Sequence, residues 1–193
     1  MEWEKAVERG LQMAADEADL IDVGGESTRP GAAPVCVEDE LARVIPVIEA
    51  LAAELPVPIS VDTSKPEVMA AAVRAGAGMI NDVGALGAPG ALEAARDLGV
   101  PVCLMHMRGE PRTMQVAPHY GDVVGEVRDF LAQRSAACVA AGISPERLVI
   151  DPGFGFGKTL DHNLALLARL GELRHLGLPI LVGLSRKSML GAI

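Results

Sequence analysis

Aromatic side chains are scarce in this 193-residue chain: one Trp, one Tyr and three Phe make up 3% of it. With half of the residues hydrophobic, the core must be packed from Ala, Val, Leu, Ile and Met. Basic residues are also short, 17 Lys and Arg against 26 Asp and Glu, for a net charge of −9. That balance excludes the broad basic face that nucleic acid or an anionic membrane surface needs. An anionic ligand would require a focused site. The three cysteines, Cys36, Cys103 and Cys138, are odd in number, widely spaced and without a CxxC pair. No disulfide framework is expected, and a reduced, cytoplasmic setting with buried thiols is. No apolar run approaches the ~20 residues that span a bilayer, and the opening MEWEKAVERG is charged and helical rather than signal-like.

What the chain does contain is one pattern, repeated. Continuous apolar runs rich in Val and Ile occur at residues 18–23, 57–61, 77–83, 100–106, 146–151 and 178–185. They do not alternate with polar residues, so they read as strands covered on both faces. Helical periodicity fills the intervals, over 36–55, 65–76, 88–99, 122–142 and 160–173, with glycines at 76, 99, 142 and 177 placed to end helices. Strict β-then-α order implies parallel strands joined by right-handed crossovers. Nothing resembling a linker interrupts them, so residues 1–193 read as a single α/β domain.

Two architectures suit that order, and polar residues separate them. Almost every run ends on a functional-looking side chain: Asp22, Asp62, Asn81 with Asp82, His106, Asp151, then Ser185 with Lys187. An open doubly wound sheet places its ligand at one switch point, so two or three such ends would suffice. In a (β/α)8 TIM barrel all C-terminal strand ends converge on one mouth. The barrel is therefore the expected fold. At roughly 30 residues per unit, the chain accounts for about six βα units, an incomplete barrel.

The loops at those ends carry the chemistry. GGESTRPGA (24–32) offers glycine amides, two hydroxyls and the Arg29 guanidinium, donors suited to an anion; the competing reading is a turn in which Arg29 pairs with Glu26. In SVDTSKPEV (60–68), Thr63 and Ser64 are placed to cap a helix opening at Pro66, which leaves Asp62 unexplained. Asn81 and Asp82 are poor strand residues that either bond neighbouring loops or meet a polar ligand. His106 is a metal ligand, an acid–base group or a satisfied core histidine. The methionines beside it, Met105 and Met107, suggest a flat wall for a ring, and 107–121 reads as a mobile loop over the mouth.

DPGFGFGKT (151–159) nearly matches a nucleotide P-loop, but Pro152 stands where that motif needs glycine, and Asp151 would repel phosphate. Its alternating glycines instead present an aromatic, Phe154 or Phe156, near the Asp151 carboxylate. GLSRKSM (183–189) ends a run and opens a helix with two cations, an arrangement suited to an anion. A carboxylate that accepts two parallel N–H bonds recognises an amidine-like edge such as that of guanine or a pterin, and a lysine would serve the ring's acceptors.

The runs IDVGGESTRPGA, SVDTSKPEV, MINDV, LMHMRGEPRTMQ, IDPGFGFGKTLDHNLALL and LVGLSRKSMLGAI, in that order, resemble the dihydropteroate synthase family over nearly the whole chain. The resemblance implies a pterin-binding barrel enzyme of folate biosynthesis. Such enzymes condense 6-hydroxymethyl-7,8-dihydropterin pyrophosphate with p-aminobenzoate to give 7,8-dihydropteroate and pyrophosphate. It further implies that Asp62, Asn81, Asp151 and Lys187 bind the pterin, with Met105 and Phe156 lining its pocket and Lys187 and Asp62 as the catalytic pair. Thr28 and Arg29 would lie near pyrophosphate and the aminobenzoate entrance, and Ser188 would hold the aminobenzoate carboxylate.

The family also implies Mg²⁺, held by an asparagine on a first strand, and an Arg-x-His on a last strand that grips pyrophosphate. Neither segment is in these 193 residues, so no metal ligand is assigned. A barrel without those strands has two open edges and suits a fragment of a longer chain. Two other readings remain: a barrel passing a methyl group from methyltetrahydrofolate to a corrinoid, against which STRPGA and SRKS count, and a non-catalytic pterin-binding fragment. A homodimer is compatible with all three.

Overall fold

The computed structural model describes residues 2–29 and 31–185, so Lys187 and Ser188 lie outside the described residues. The chain opens with α1 (Glu2–Ala15) and then alternates: β1 (Ile21–Gly24), α2 (Val37–Glu54), β2 (Ile59–Asp62), α3 (Pro66–Ala75), β3 (Met79–Asp82), α4 (Ala91–Leu98), β4 (Val102–Met105), α5 (Val123–Ala140), β5 (Leu148–Asp151) and α6 (Leu160–Ala168). Single 3₁₀ turns cover Pro145–Arg147 and Leu170–Leu176. The five strands form one parallel sheet in chain order. Each neighbour in sequence is the neighbour in space, as in a barrel wall and unlike the reversed order of a doubly wound sheet.

The sixth expected strand is reduced to a single parallel bridge, Ile150 to Ile180. Two ladder hydrogen bonds flank it: the Ile150 amide donates to Pro179 at 2.9 Å, and the Leu181 amide donates to Ile150 at 2.9 Å. The run 178–185 therefore starts as a sheet partner without continuing as one among the described residues.

Strand pleating sorts the side chains. Ile21, Ile59, Val61, Ile80, Val102, Leu104 and Leu148 point outward and join Val44, Val47, Ile48 and Leu51 of α2 and Val68, Met69 and Ala72 of α3 in the main core. Burying each large aliphatic contributes about 1.5–3 kcal/mol, so this outer interface fixes the register of the wall. Once register is fixed, Asp22, Ser60, Asp62, Asn81, Cys103, Met105, Val149 and Asp151 share the opposite, inner face.

Helix ends follow the sequence with one exception. Glycines 76, 99, 142 and 177 all take left-handed backbones, with φ between 69° and 119°. Thr159 and His162 form a reciprocal capping box on α6. Pro66 opens α3 as expected, but the cap there is Lys65, which makes no side-chain cap bond. Ser64 donates to the Asp82 carboxylate instead, and Thr63 Oγ1 accepts only from the Lys65 amide at 3.2 Å.

Candidate active site

The inner face is where the polar strand ends meet. Ser60 donates to Asp22 Oδ1, and Asn81 Nδ2 donates to Asp22 Oδ2 at 3.3 Å, so β1, β2 and β3 are cross-linked by side chains at the mouth. Asp62 lies in the same group. Removal from water raises its pKa to about 7, with further pushes from the negative charges of Asp22, Asp82, Glu40 and Glu26. Desolvation also raises the pKa of Asp22, against the opposing hydrogen bonds of Ser60 and Asn81. The buried Cys103 thiol is driven well above its ordinary range, by desolvation first and then by Asp151, Asp22 and Asp62. Strand register sets Cys103 on the same face as Asp22, Asp62 and Asp151.

Of the residues expected in the site, Asp62, Asn81, Met105 and Asp151 stand together on this face. Met105 is buried and is the register partner of Asp151. Asp151 is buried too, and its Oδ1 accepts from the Gly153 amide at 2.7 Å, which turns the chain sharply off β5. Phe156 is half-buried on that turn, whereas Phe154 is fully buried and belongs to the second core. Thr28 lines a cleft beside the mouth; Arg29 is exposed and is not among the residues lining that cleft. Lys187 and Ser188 fall outside the described residues.

Asp82 is not part of this group. It points outward, fully buried, and its carboxylate accepts from Ser64, from the Gly84 amide at 2.7 Å and from the Leu86 amide at 2.8 Å. Those bonds build the loop after β3, which is the loop-bonding alternative for this residue. His106 is likewise a satisfied core residue: it is buried, and its Nδ1 faces Lys158 Nζ at 2.9 Å. Burial first, and then the Lys158 charge, pull its pKa down to about 3, so it is a neutral imidazole at physiological pH.

Lys158 is what the near-match to a P-loop actually supplies. It is buried and reaches back to the Gly153 and Phe156 carbonyls at 2.9 and 3.1 Å. Its ammonium replaces an amide ladder inside the loop, so the lysine folds the turn instead of presenting itself to phosphate. The 107–121 stretch packs against this turn. Tyr120 donates to the Gly157 carbonyl at 2.8 Å, Gln115 donates to Gly155 at 2.6 Å, and the Arg108 guanidinium sits 4.4 Å over the Tyr120 ring.

The cleft has a volume of about 380 Å³ and lies between the loops after β1, β2 and β4. It meets the inner face at Asp62. Four acids line it, Glu26, Glu40, Asp62 and Glu110, against Arg112. The Arg29–Glu26 pair of the competing reading does not form; Glu26 is bound by Lys65. Among the described residues no three His, Cys, Asp or Glu side chains gather closely enough to hold a metal ion. Three members of the inner face were not singled out from sequence as site residues: Asp22, noted only as a strand end, Ser60 and Cys103. The one signal for Ser60 and Cys103 is period-two spacing with Asp62 and Met105.

Five parallel strands that bring Asp22, Asp62, Asn81 and Asp151 to one mouth define a barrel enzyme suited to a small, hydrogen-bond-rich ligand there. The pterin binding enzyme family model matches residues 1–193. Dihydropteroate synthase of Escherichia coli K12 is 58% identical over 188 residues, covering 97% of this chain and 67% of that protein. The solved dihydropteroate synthase of Xanthomonas albilineans with 4-aminobenzoic acid superposes with a TM-score of 0.94 at 60% identity, covering 98% of this chain and 67% of that one. The same enzyme in complex with 7,8-dihydropteroate gives 0.90 at 56% identity, covering 100% and 68%. This chain belongs to the dihydropteroate synthase family, and it spans about two thirds of the length of these relatives.

Proposed function

We propose that this chain carries the pterin and aminobenzoate sites of a dihydropteroate synthase, joining 6-hydroxymethyl-7,8-dihydropterin pyrophosphate to p-aminobenzoate in folate biosynthesis. The observation that carries this reading is the inner-face row of Asp22, Asp62, Asn81 and Asp151, brought to one mouth by four different strands. A pterin presents an amidine-like edge of donors on one side and a carbonyl with ring nitrogens on the other. The Asp151 carboxylate suits the donor edge. Asn81, held by Asp22, offers both a donor and an acceptor. Asp62, with a pKa of about 7, can meet the ring as either a carboxylate or a neutral acid. Lys187, assigned to the pterin by the family resemblance, would serve the ring carbonyl.

In the reaction the C–O bond between the pterin methylene and pyrophosphate breaks, and its electron pair leaves with pyrophosphate. The electron-poor methylene is conjugated with the ring, and carboxylates near the ring stabilise its positive charge. The arylamine lone pair then forms the C–N bond and a proton is released. The protein's part is to hold ring and amine in line and keep water away. Thr28, Arg29 and Ser188 are assigned to the arylamine and pyrophosphate side. The acidic charge and the three free cysteines fit a cytoplasmic enzyme that binds neither nucleic acid nor membrane. No helix among the described residues is long and apolar enough to cross a membrane. A homodimer is the assembly to look for.

Calorimetry with a pterin analogue tests the carrying observation. Asp151→Asn keeps an acceptor for the Gly153 amide but loses the charge, and it should weaken binding by about 2 kcal/mol, close to thirtyfold. Equal affinity of variant and wild type would remove Asp151 from the site. Absence of any binding by the wild type would remove the reading itself.

A further inference from the structure

The turn after β1 is tied to the rest of the fold at both ends, and between the ties it makes only local bonds among the described residues, from the Arg29 amide to Ser27 Oγ and from the Ala32 amide to the Arg29 carbonyl. At its start, Arg43 of α2 donates to the Gly25 carbonyl at 2.9 Å. Gly25 is pressed so close to α2 that a Cβ there would lie 2.9 Å from both Glu40 Cγ and Val44 Cγ1. At its end, the Val35 amide donates to Glu26 Oε1 at 3.2 Å. Glu26 closes the circuit: its Oε2 pairs with Lys65 Nζ, which also pairs with Glu40. Glu40 is fully buried in α2, and its second oxygen has no hydrogen-bond partner among the described residues. Lys65 is therefore its one ionic contact there. Between these ties, the Thr28 and Arg29 side chains make no hydrogen bond among the described residues.

This arrangement is more than a surface ion pair. Lys65 stands three residues after Asp62, at the cap of α3, with an extended backbone (φ −99°, ψ 120°) that sends it toward α2. Its ammonium thus joins the strand end that carries Asp62 to the turn that carries Thr28 and Arg29. A carboxylate on a mobile turn could satisfy the turn amide alone; only the second bond, to a lysine anchored on a buried glutamate, fixes where that carboxylate sits. We propose that Lys65 is a positioning residue, acting through Glu26 to hold the turn that carries Thr28 and Arg29 beside the mouth and so setting affinity for the arylamine substrate. The affinity part rests on the proposed reaction; the clamp does not.

Two measurements on the same proteins separate these parts: backbone hydrogen exchange over residues 26–35, and titration of p-aminobenzoate with a pterin analogue saturating. Glu26→Gln leaves the Lys65–Glu40 pair intact and is the variant that keeps the fold. It should speed exchange in the turn by at least about tenfold, with α2 and α3 unchanged. It should also weaken p-aminobenzoate by about fivefold or more, while the pterin analogue stays within about twofold. Lys65→Met should do the same or more, and Lys65→Arg, which can reach both carboxylates, should restore most of both. Unchanged exchange in Glu26→Gln and Lys65→Met would overturn the clamp. A loosened turn with equal losses for the two ligands, or with none, would overturn its role in positioning the arylamine. If the wild type binds neither ligand, the proposed reaction fails, and the exchange rates still decide the clamp.

Discussion

The turns after β1 and after β5 are both glycine-bearing, both flank the mouth and both are organised by a lysine, yet the two lysines work in opposite ways. Lys158 is buried, and its partners include backbone carbonyls and a neutral histidine. Lys65 is part-exposed, and its partners are two carboxylates on other elements. A cation held by carbonyls dictates the path of the backbone itself, because every acceptor belongs to the turn or to its immediate neighbour. A cation held by carboxylates dictates only where side chains are tethered, and leaves the backbone between the tethers free to adjust. The charges radiate accordingly. Lys158 helps to depress His106, after burial, to about 3. The Glu26–Glu40 pair helps to raise Asp62, after burial and its nearer acidic neighbours, to about 7.

The sharpest way to break the comparison is to add one methyl group to each turn. Gly153 has φ +67°, and a Cβ there would lie 1.9 Å from the His106 carbonyl oxygen. Neither backbone can yield without separating β4 from β5. Gly153→Ala should therefore cost about 4 kcal/mol or more in chemical denaturation, the range reserved for backbone overlap in a packed interior. A loss below about 1 kcal/mol would mean the two loops are not in the contact described.

Removing the lysine of the second turn comes next. Lys158→Met keeps the stem's volume and deletes the ammonium, leaving the Gly153 and Phe156 carbonyls and His106 Nδ1 without that donor. A loss of about 3 kcal/mol is expected, and Lys158→Arg should not restore it, because a planar guanidinium cannot replace a compact ammonium among converging carbonyls. The His106 ring should titrate at higher pH in Lys158→Met, which proton NMR can follow, since one of the two main causes of its depression is gone.

The first turn is probed through Asp62. Its pKa is raised in the folded state, so between about pH 4 and pH 7 the native protein keeps a proton that the unfolded chain has released. The protonated group's contribution is full below pH 4 and is lost as pH rises through 7. Asp62→Asn removes this dependence, so the variant should match the wild type at pH 4 and exceed it in stability by about 2 kcal/mol at pH 8. That is half of the ~4 kcal/mol that a rise to about 7 carries, because solvent at the mouth screens the carboxylate. Urea titrations at the two pH values read it directly. A variant that loses stability at pH 8 would show that the ionised carboxylate is paired, not crowded.

Much of this contrast could be anticipated from sequence, and the part that could not has a physical reason. Continuous Val- and Ile-rich runs specified the buried parallel strands, and the polar residue at each end specified a common mouth, because each is a local property. Asp62, Asn81 and Asp151 could be read in the same way. Ser60 and Cys103 could not, since a serine inside VPISV or a cysteine inside VPVCL becomes part of the site only when strand register turns it inward. Ser64 looked like a cap because its neighbours supply cap grammar, yet the Asp82 carboxylate of the next strand takes the hydroxyl first. Glu40 lies in the acidic first turn of α2, and only tertiary packing reveals that it is buried against a lysine 25 residues away. The run 178–185 carried a full strand pattern but pairs only at Ile180. A strand pattern states what could be buried, and the neighbour decides how much is.

The smallest effect belongs to the first turn and completes the pair begun with Gly153. Gly31 has nearly the same backbone as Gly153, φ +81°, but nothing lies within 4 Å of where its Cβ would project. An alanine there meets only the intrinsic penalty of the left-handed region, so Gly31→Ala should cost about 1 kcal/mol. Because that penalty is local and the tethers at Gly25 and Val35 are untouched, the turn can relax around it. Thermal denaturation should show a drop of a few degrees, and pterin-analogue affinity should be unchanged. If Gly31→Ala proved as damaging as Gly153→Ala, the first turn would be as tightly packed as the second. The distinction between a turn shaped by its own carbonyl-bound lysine and one merely tethered by an ion pair would then collapse.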